Sequence, residues 1–171
     1  MARAQGKPKS EYGGLDLGVD IRLLGEVTSI ASVRGHSFAC DETEHIGGQN
    51  KSPRPLEYFL AGVGFCFASI LSRSAADMGL NLDSVEIGIR GTTRFYVGIE
   101  EVKLLVSVTS NEPREKIEEL IKLADQRCPA EQTLRRPVKV TTELVLSKGK
   151  AIQTQIAKNG EDCPDNSCCA I

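Results

Sequence analysis

Six cysteines are the residues of this chain with the widest chemical range: Cys40, Cys66, Cys128, Cys163, Cys168 and Cys169. None forms the paired C-x-x-C knuckles of a structural zinc site. Cys128 sits where one helical pattern ends and PAEQTL begins another. A sulfur there meets unpaired backbone N–H groups and the positive end of a helix dipole, and both favour thiolate. Cys66 lies inside an apolar run, where desolvation opposes a thiolate unless a cation or donor stands close. The plain alternative for either is a small buried hydrophobe, the usual fate of a free cysteine.

The remaining candidates are weaker. Cys40, in SFACDE, reads as a strand cysteine without chemistry. His36 and His45 have no spaced carboxylate or cysteine pair beside them, so no metal site and no cofactor are expected. Cys163, Cys168 and Cys169 crowd the C-terminal end, and the final CCAI has the form of a prenylation box on Cys168. A lineage-specific extension is the simpler reading of that tail.

Composition narrows the function classes. The chain has 171 residues, enough for one domain with a real core. Its 21 basic and 23 acidic residues leave a net charge of -2 and no basic block for nucleic acid or an anionic membrane. Aromatic residues make up 5% with no Trp, too few for base-stacking platforms. The opening MARAQGKPKSEYGG lacks the apolar stretch of a signal peptide. A cytoplasmic protein is expected, with thiols reduced unless they act in redox chemistry.

The elements that must position the cysteines follow from periodicity. Residues 1–20 read as a flexible arm. Arms near Gly25–Val33 and His36–Cys40 around a Gly35 turn predict a hairpin. A polar loop follows, with Gly47-Gly48 and two prolines. A long helix starts at Pro55, a good first helical position. It carries Leu56, Phe59, Leu60, Val63, Phe67, Ile70 and Leu71 at helical spacing and is capped by Gly79. From Tyr58 to Ser72 it bears no formal charge, a run shorter than the roughly 18–20 residues that span a bilayer. It reads as a buried core helix. Alternation at Val85, Ile87, Ile89 and at Val102, Leu104, Val106, Val108 predicts two strands. A second helix opens at Asn111 with Pro113 in its first turn and stops at Cys128-Pro129. Val138, Val140, Leu144 and Leu146 predict a last strand, and 148–171 a mobile tail.

This order is α+β. One sheet cannot cover both sides of a helix that is apolar nearly all round, so the long helix calls for a second partner. A homodimer burying it is the natural solution; a monomer whose sheet and second helix wrap it is the alternative.

The stretch GGQNKSPRPLEYFLAGVGFCFASI, the pattern AxxxGLxLxSVEIxIxG from Ala75 to Gly91, and RCPAEQTL in that order resemble the OsmC/Ohr family. These are the osmotically inducible protein C and organic hydroperoxide resistance proteins. The resemblance runs from about Val27 to Leu146 and makes 21–147 an OsmC-like domain. It implies an intertwined homodimer, with mostly antiparallel sheets wrapped around long buried central helices. It also implies a thiol-dependent peroxidase of organic hydroperoxides. Cys66 matches the family's peroxidatic cysteine and Cys128 its resolving cysteine, with a dithiol reductant, lipoyl-type or other, restoring both.

Two further family residues need matches. Arg34 is the best match for the Arg that supplies a cation to the buried thiolate; its plain reading is a turn residue beside Gly35. The family's Glu falls on Leu56, one position before Glu57. Glu57 precedes Cys66 by nine residues, which at about 100° each puts it on the opposite helix face. It reads either as a first-turn acid complementing the dipole or as a contributor to a partner's site. The runner-up to a peroxidase is a non-catalytic protein of the same fold holding a small hydrophobic ligand in that cleft. A purely structural dimer is a third reading.

Overall fold

The computed structural model describes residues 17–94 and 96–146. Most of the arm, the tail from residue 147 onward, and Cys163, Cys168 and Cys169 with it, lie outside the described residues. The described chain falls into two compact units, residues 17–52 and 53–146.

The first unit is an antiparallel sheet of β1 (Asp20–Leu23), β2 (Ser29–Val33) and β3 (His36–Cys40), in that spatial order. Val33 pairs with His36, leaving Arg34 and Gly35 as a two-residue turn. Both are left-handed, with φ of 49° and 84°, as a turn matching the twist of a hairpin requires. Strand β1 is an addition to the expected hairpin: it pairs with β2 across a Leu24–Thr28 turn. The polar loop after β3 folds back around Asp41, which is 1% exposed. Its carboxylate accepts hydrogen bonds from Thr28 Oγ1 and from the Gln49 and Lys51 backbone N–H groups. The Lys51 N–H above all holds this carboxyl below its usual range. Gly48 is needed here, because a Cβ at that position would lie 1.9 Å from the Glu42 carbonyl oxygen.

The second unit is built on helix α1 (Pro55–Met78). Pro55 opens it, and the Glu57 carboxylate accepts the Arg54 backbone N–H at 2.9 Å. Gly79 closes it in the left-handed region, φ 68°, and Leu80 N–H returns to the Ala75 carbonyl. Strands β4 (Ser84–Arg94) and β5 (Gly98–Thr109) form an antiparallel pair with a register shift at Thr92/Thr93. Helix α2 (Arg114–Arg127) and the short α3 (Pro129–Leu134) follow. Helix α2 begins a little later than its predicted start. Ser110 bonds the Asn81 carbonyl and the Glu112 N–H instead, so Asn111 belongs to the connecting turn.

Helix α1 packs on β4, α2 and α3. Gly91 lets Leu60 lie directly on the sheet; a Cβ there would meet its methyl groups at 3.2 Å. Phe67, Leu71, Ala75, Leu80, Leu120, Ala124 and Cys128 form the core. Only one stripe of α1 is buried. Leu56 and Phe59 are each 45% exposed and Phe65 is 73% exposed. By length and composition α1 is apolar enough to cross a membrane, and in this fold it serves as the core helix.

The strand expected over Val138–Leu146 does not form. Residues 137–146 carry no ladder, and Val140 and Leu144 are 82% and 85% exposed. Period-two alternation predicts a strand, but a strand exists only when a neighbouring edge accepts its hydrogen bonds.

Candidate active site

Helix α1 carries Cys66 near its middle, on the side that packs against the core. Cys128 is the hinge between two helices. It ends α2 with its N–H bonded to the Ala124 carbonyl at 2.9 Å, and it starts α3 with its carbonyl accepting Gln132 N–H at 3.0 Å. Pro129 forces the break: it has no N–H to continue α2 and its ring suits a first helical position. Packing α1 against α2 and α3 sets Cys66 against the core that contains Cys128, with no disulfide between the two. Cys66 is partly buried and Cys128 is fully buried.

The short helix does bring a backbone N–H to bear on Cys128, from Glu131, and that influence favours thiolate. It does not prevail. Burial, reinforced by Cys66 and the Glu131 charge, pushes the Cys128 thiol up. The thiolate expected from the helix N-terminus is therefore corrected: one N–H group and a single helical turn do not offset complete desolvation.

Around this pair lies a cluster absent from the sequence reading. Glu131, 7% exposed, shares the Arg135 guanidinium with Asp125. Two acids crowded on one cation and shielded from water favour a proton on the more buried of them. Burial first and Asp125 second push Glu131 up to about 7, while the Arg135 hydrogen bond holds Asp125 below its ordinary range. The Arg135 guanidinium reaches Asp125 at 2.6 Å and Glu131 at 3.3 Å. A local signal existed: Glu131 stands three residues after the helix-starting Cys128, and Arg135 one further turn on.

These groups open onto a cleft of about 1190 Å³. Leu56, Phe59, Val63 and Phe67 of α1 form one wall, with Val102, Leu104 and Val106 of β5 and Ile121 of α2. Asp125, Glu131 and Arg135 stand at its polar end. Phe67, next to Cys66, and Glu131, three residues after Cys128, line this cleft, while the two thiols themselves do not.

Arg34 belongs to the first unit, exposed at the tip of the β2–β3 turn. Glu57 is in the first turn of α1, where the Arg54 guanidinium holds its carboxylate at 2.7 Å and lowers its pKa. Cys40 ends β3, and its thiol is pushed up by burial and by Glu42 and Asp41. His45 pairs with Thr43 Oγ1 at 2.9 Å. Among the described residues no group of three His, Cys, Asp or Glu side chains is placed to hold a metal.

The family model of OsmC-like proteins matches residues 48–143, more than half of the chain. The chain belongs to the OsmC-like family. A hydroperoxide reductase of Mycoplasma genitalium is 31% identical over 91 residues, covering 50% of this chain and 64% of that relative. The chain thus spans less than two thirds of that relative's length. The crystal structure of an OsmC-like protein from Mycoplasma pneumoniae superposes with a TM-score of 0.66 at 20% identity, over 72% of this chain and 89% of that one. An organic hydroperoxide resistance protein from Legionella pneumophila gives 0.60 at 19% identity, over 72% and 91%. At such identities the likeness establishes the OsmC-like fold alone. The family match spans α1 through α3 and so includes Cys66, Cys128 and the Glu131 cluster.

Proposed function

We propose that this OsmC-like chain is a thiol-dependent peroxidase that reduces organic hydroperoxides. The observation that carries the reading is the packing of Cys66 and Cys128, both free thiols, in one core. The similarity to a hydroperoxide reductase supports it. The Cys66 thiolate attacks the outer peroxide oxygen and breaks the O–O bond. The alkoxide takes a proton and leaves as alcohol, and Cys66 becomes a sulfenic acid. Cys128 then attacks the sulfenic sulfur, forming a disulfide and releasing water. A dithiol restores both thiols by exchange. The apolar cleft favours a bulky or lipid-like peroxide over hydrogen peroxide.

In this reading Arg34 supplies the cation that the Cys66 thiolate requires, on its match to the family's Arg. Glu57, already held by Arg54, serves the start of α1. The working unit is a homodimer. The exposed apolar side of α1 and the unpaired alternating segment 137–146 are the surfaces it buries. A second reading, a non-catalytic holder of a small hydrophobic ligand, is favoured by Leu56 standing where the family's Glu falls. Consumption of cumene hydroperoxide and hydrogen peroxide by the purified protein, with a lipoyl dithiol as reductant, decides between them. Turnover with a preference for the organic peroxide is expected. No turnover with either peroxide, together with binding of an apolar fluorophore in the cleft, would overturn the peroxidase reading.

A further inference from the structure

Glu131 touches its surroundings through two different groups. It stands in the first turn of α3, three residues after the Cys128 cap, and its backbone N–H is a thiolate-favouring influence on that thiol. Its carboxyl is committed elsewhere, to the Arg135 guanidinium at the end of α3 that also holds Asp125 of α2. The side chain is therefore placed to set the charge beside Cys128 without touching the reacting atoms. We propose that Glu131 is a positioning residue for the resolving half-reaction: protonated, it permits Cys128 to ionise, and deprotonated, it holds Cys128 as a thiol. This rests on the peroxidase reading of the Cys66–Cys128 pair.

The chemistry of the step makes that charge matter. Cys128 loses its proton, and its sulfur attacks the sulfenic sulfur of Cys66. The S–S bond forms as the S–O bond breaks, and the departing hydroxide takes a proton to leave as water. The Cys66 sulfur is reduced by one electron equivalent and the Cys128 sulfur oxidised by one, so no outside reagent enters. A negative charge must appear on a fully buried sulfur that is already disfavoured as thiolate. A second negative charge one helical turn away opposes it directly.

The groups facing this carboxyl are few. Helix α2 contributes Asp125, α3 contributes Arg135 and its capping Cys128, and α1 contributes Cys66 through Cys128. Glu100, Glu101, Arg114, Glu118 and Lys122 line the same cleft, but the shift of Glu131 arises from burial, Asp125 and Arg135. With Glu131 titrating at about 7, the gate opens as the pH falls below neutrality and closes above it.

Glu131→Gln tests this. The amide keeps the backbone N–H near Cys128 and carries no charge, copying the protonated state. Disulfide formation after one equivalent of organic hydroperoxide is followed in single turnover from pH 5.5 to 9. E131Q is expected to match the parent near pH 6 and to exceed it by up to about tenfold at pH 8, where a group titrating near 7 is about nine-tenths ionised. The inflection near pH 7 should vanish. Asp125→Asn removes the partner that raises Glu131 and should move the inflection to lower pH. A parallel reading needs no peroxide: the ¹³Cβ resonance of Cys128 in the reduced, labelled full chain, assigned with Cys128→Ser. It should show a step near pH 7 that E131Q abolishes. An inflection unchanged in E131Q, or a uniform slowing at every pH, would overturn the proposal. If no Cys66–Cys128 disulfide forms at all, the peroxidase reading fails, while the resonance still decides whether Glu131 controls Cys128.

Discussion

Cys66 packs against the same core as Cys128, although one lies within the longest helix and the other at the junction of the last two. A disulfide between them requires their Cα atoms within about 7 Å, and a shared core is what can bring residues so distant in sequence that close.

The first prediction follows from that packing. With Cys163, Cys168 and Cys169 replaced by serine, one equivalent of an organic hydroperoxide should remove two thiols per chain. Peptide mapping should link the Cys66 and Cys128 fragments. Cys66→Ser should abolish the loss. Cys128→Ser should stop at a sulfenic acid that dimedone traps and that excess peroxide drives to the sulfinic form. If both thiols stay free under peroxide, the redox pair does not exist.

Stability should fall as the pH rises through the Glu131 window. The folded-state value, about 7, lies above the ordinary 4.5, so the folded chain holds a proton that the unfolded chain releases. The favourable contribution is complete below about 4.5 and is lost between there and about 7. Asp125 works in the opposite sense, since its lowered value contributes above its unfolded pKa and is lost on acidification. Urea unfolding at pH 5 and pH 8 should show E131Q gaining on the parent at pH 8 by about 1–3 kcal/mol, with little gain at pH 5. A difference independent of pH would mean that Glu131 carries no extra proton in the fold.

Arg34→Ala should slow the first step, oxidation of Cys66, by tenfold or more on the order of a lost charge-assisted contact. Secondary structure should be unchanged, because Arg34 is an exposed turn residue. Arg34→Lys should recover part of the rate. Stopped-flow oxidation rates and far-ultraviolet dichroism measure both. A rate equal to the parent's would leave Arg34 as a turn residue only.

The exposed side of α1 makes a prediction about assembly. Phe65 is 73% exposed on a helix whose apolar residues continue around its circumference. Sedimentation of the native chain at micromolar concentration should give a dimer, and Phe65→Asp should shift it toward monomer. A stable native monomer would contradict the homodimer.

Much of the scaffold could be read from residues alone, because it depends on local rules. Pro55 and Gly79 bound α1 through backbone preferences that act within one turn. Alternation over Val85–Ile89 and Val102–Val108 becomes β4 and β5 because the two runs are joined by a short turn and pair with each other. The two-residue turn at Arg34-Gly35 likewise needs nothing beyond its neighbours. The same alternation at Val138–Leu146 did not yield a strand, since pairing depends on an edge that local pattern does not supply.

The site is different in kind. Sequence could nominate Cys66 and Cys128 one by one, and a family resemblance could join them. They share one core only because Leu71 and Ala75 of α1 pack with Leu120 and Ala124 of α2. That core also decides the electrostatics. The first turn of α3 argued for an ionised Cys128, and burial reverses it. Glu131 and Asp125 would be two ordinary surface acids in a list of residues. The break at Pro129 starts α3, which buries Glu131 and sets it with Asp125 on the Arg135 guanidinium, and this raises the Glu131 pKa. Sequence carries the residue types and their local geometry. Desolvation and the approach of distant helices set which of them hold a proton, and only the tertiary structure contains both.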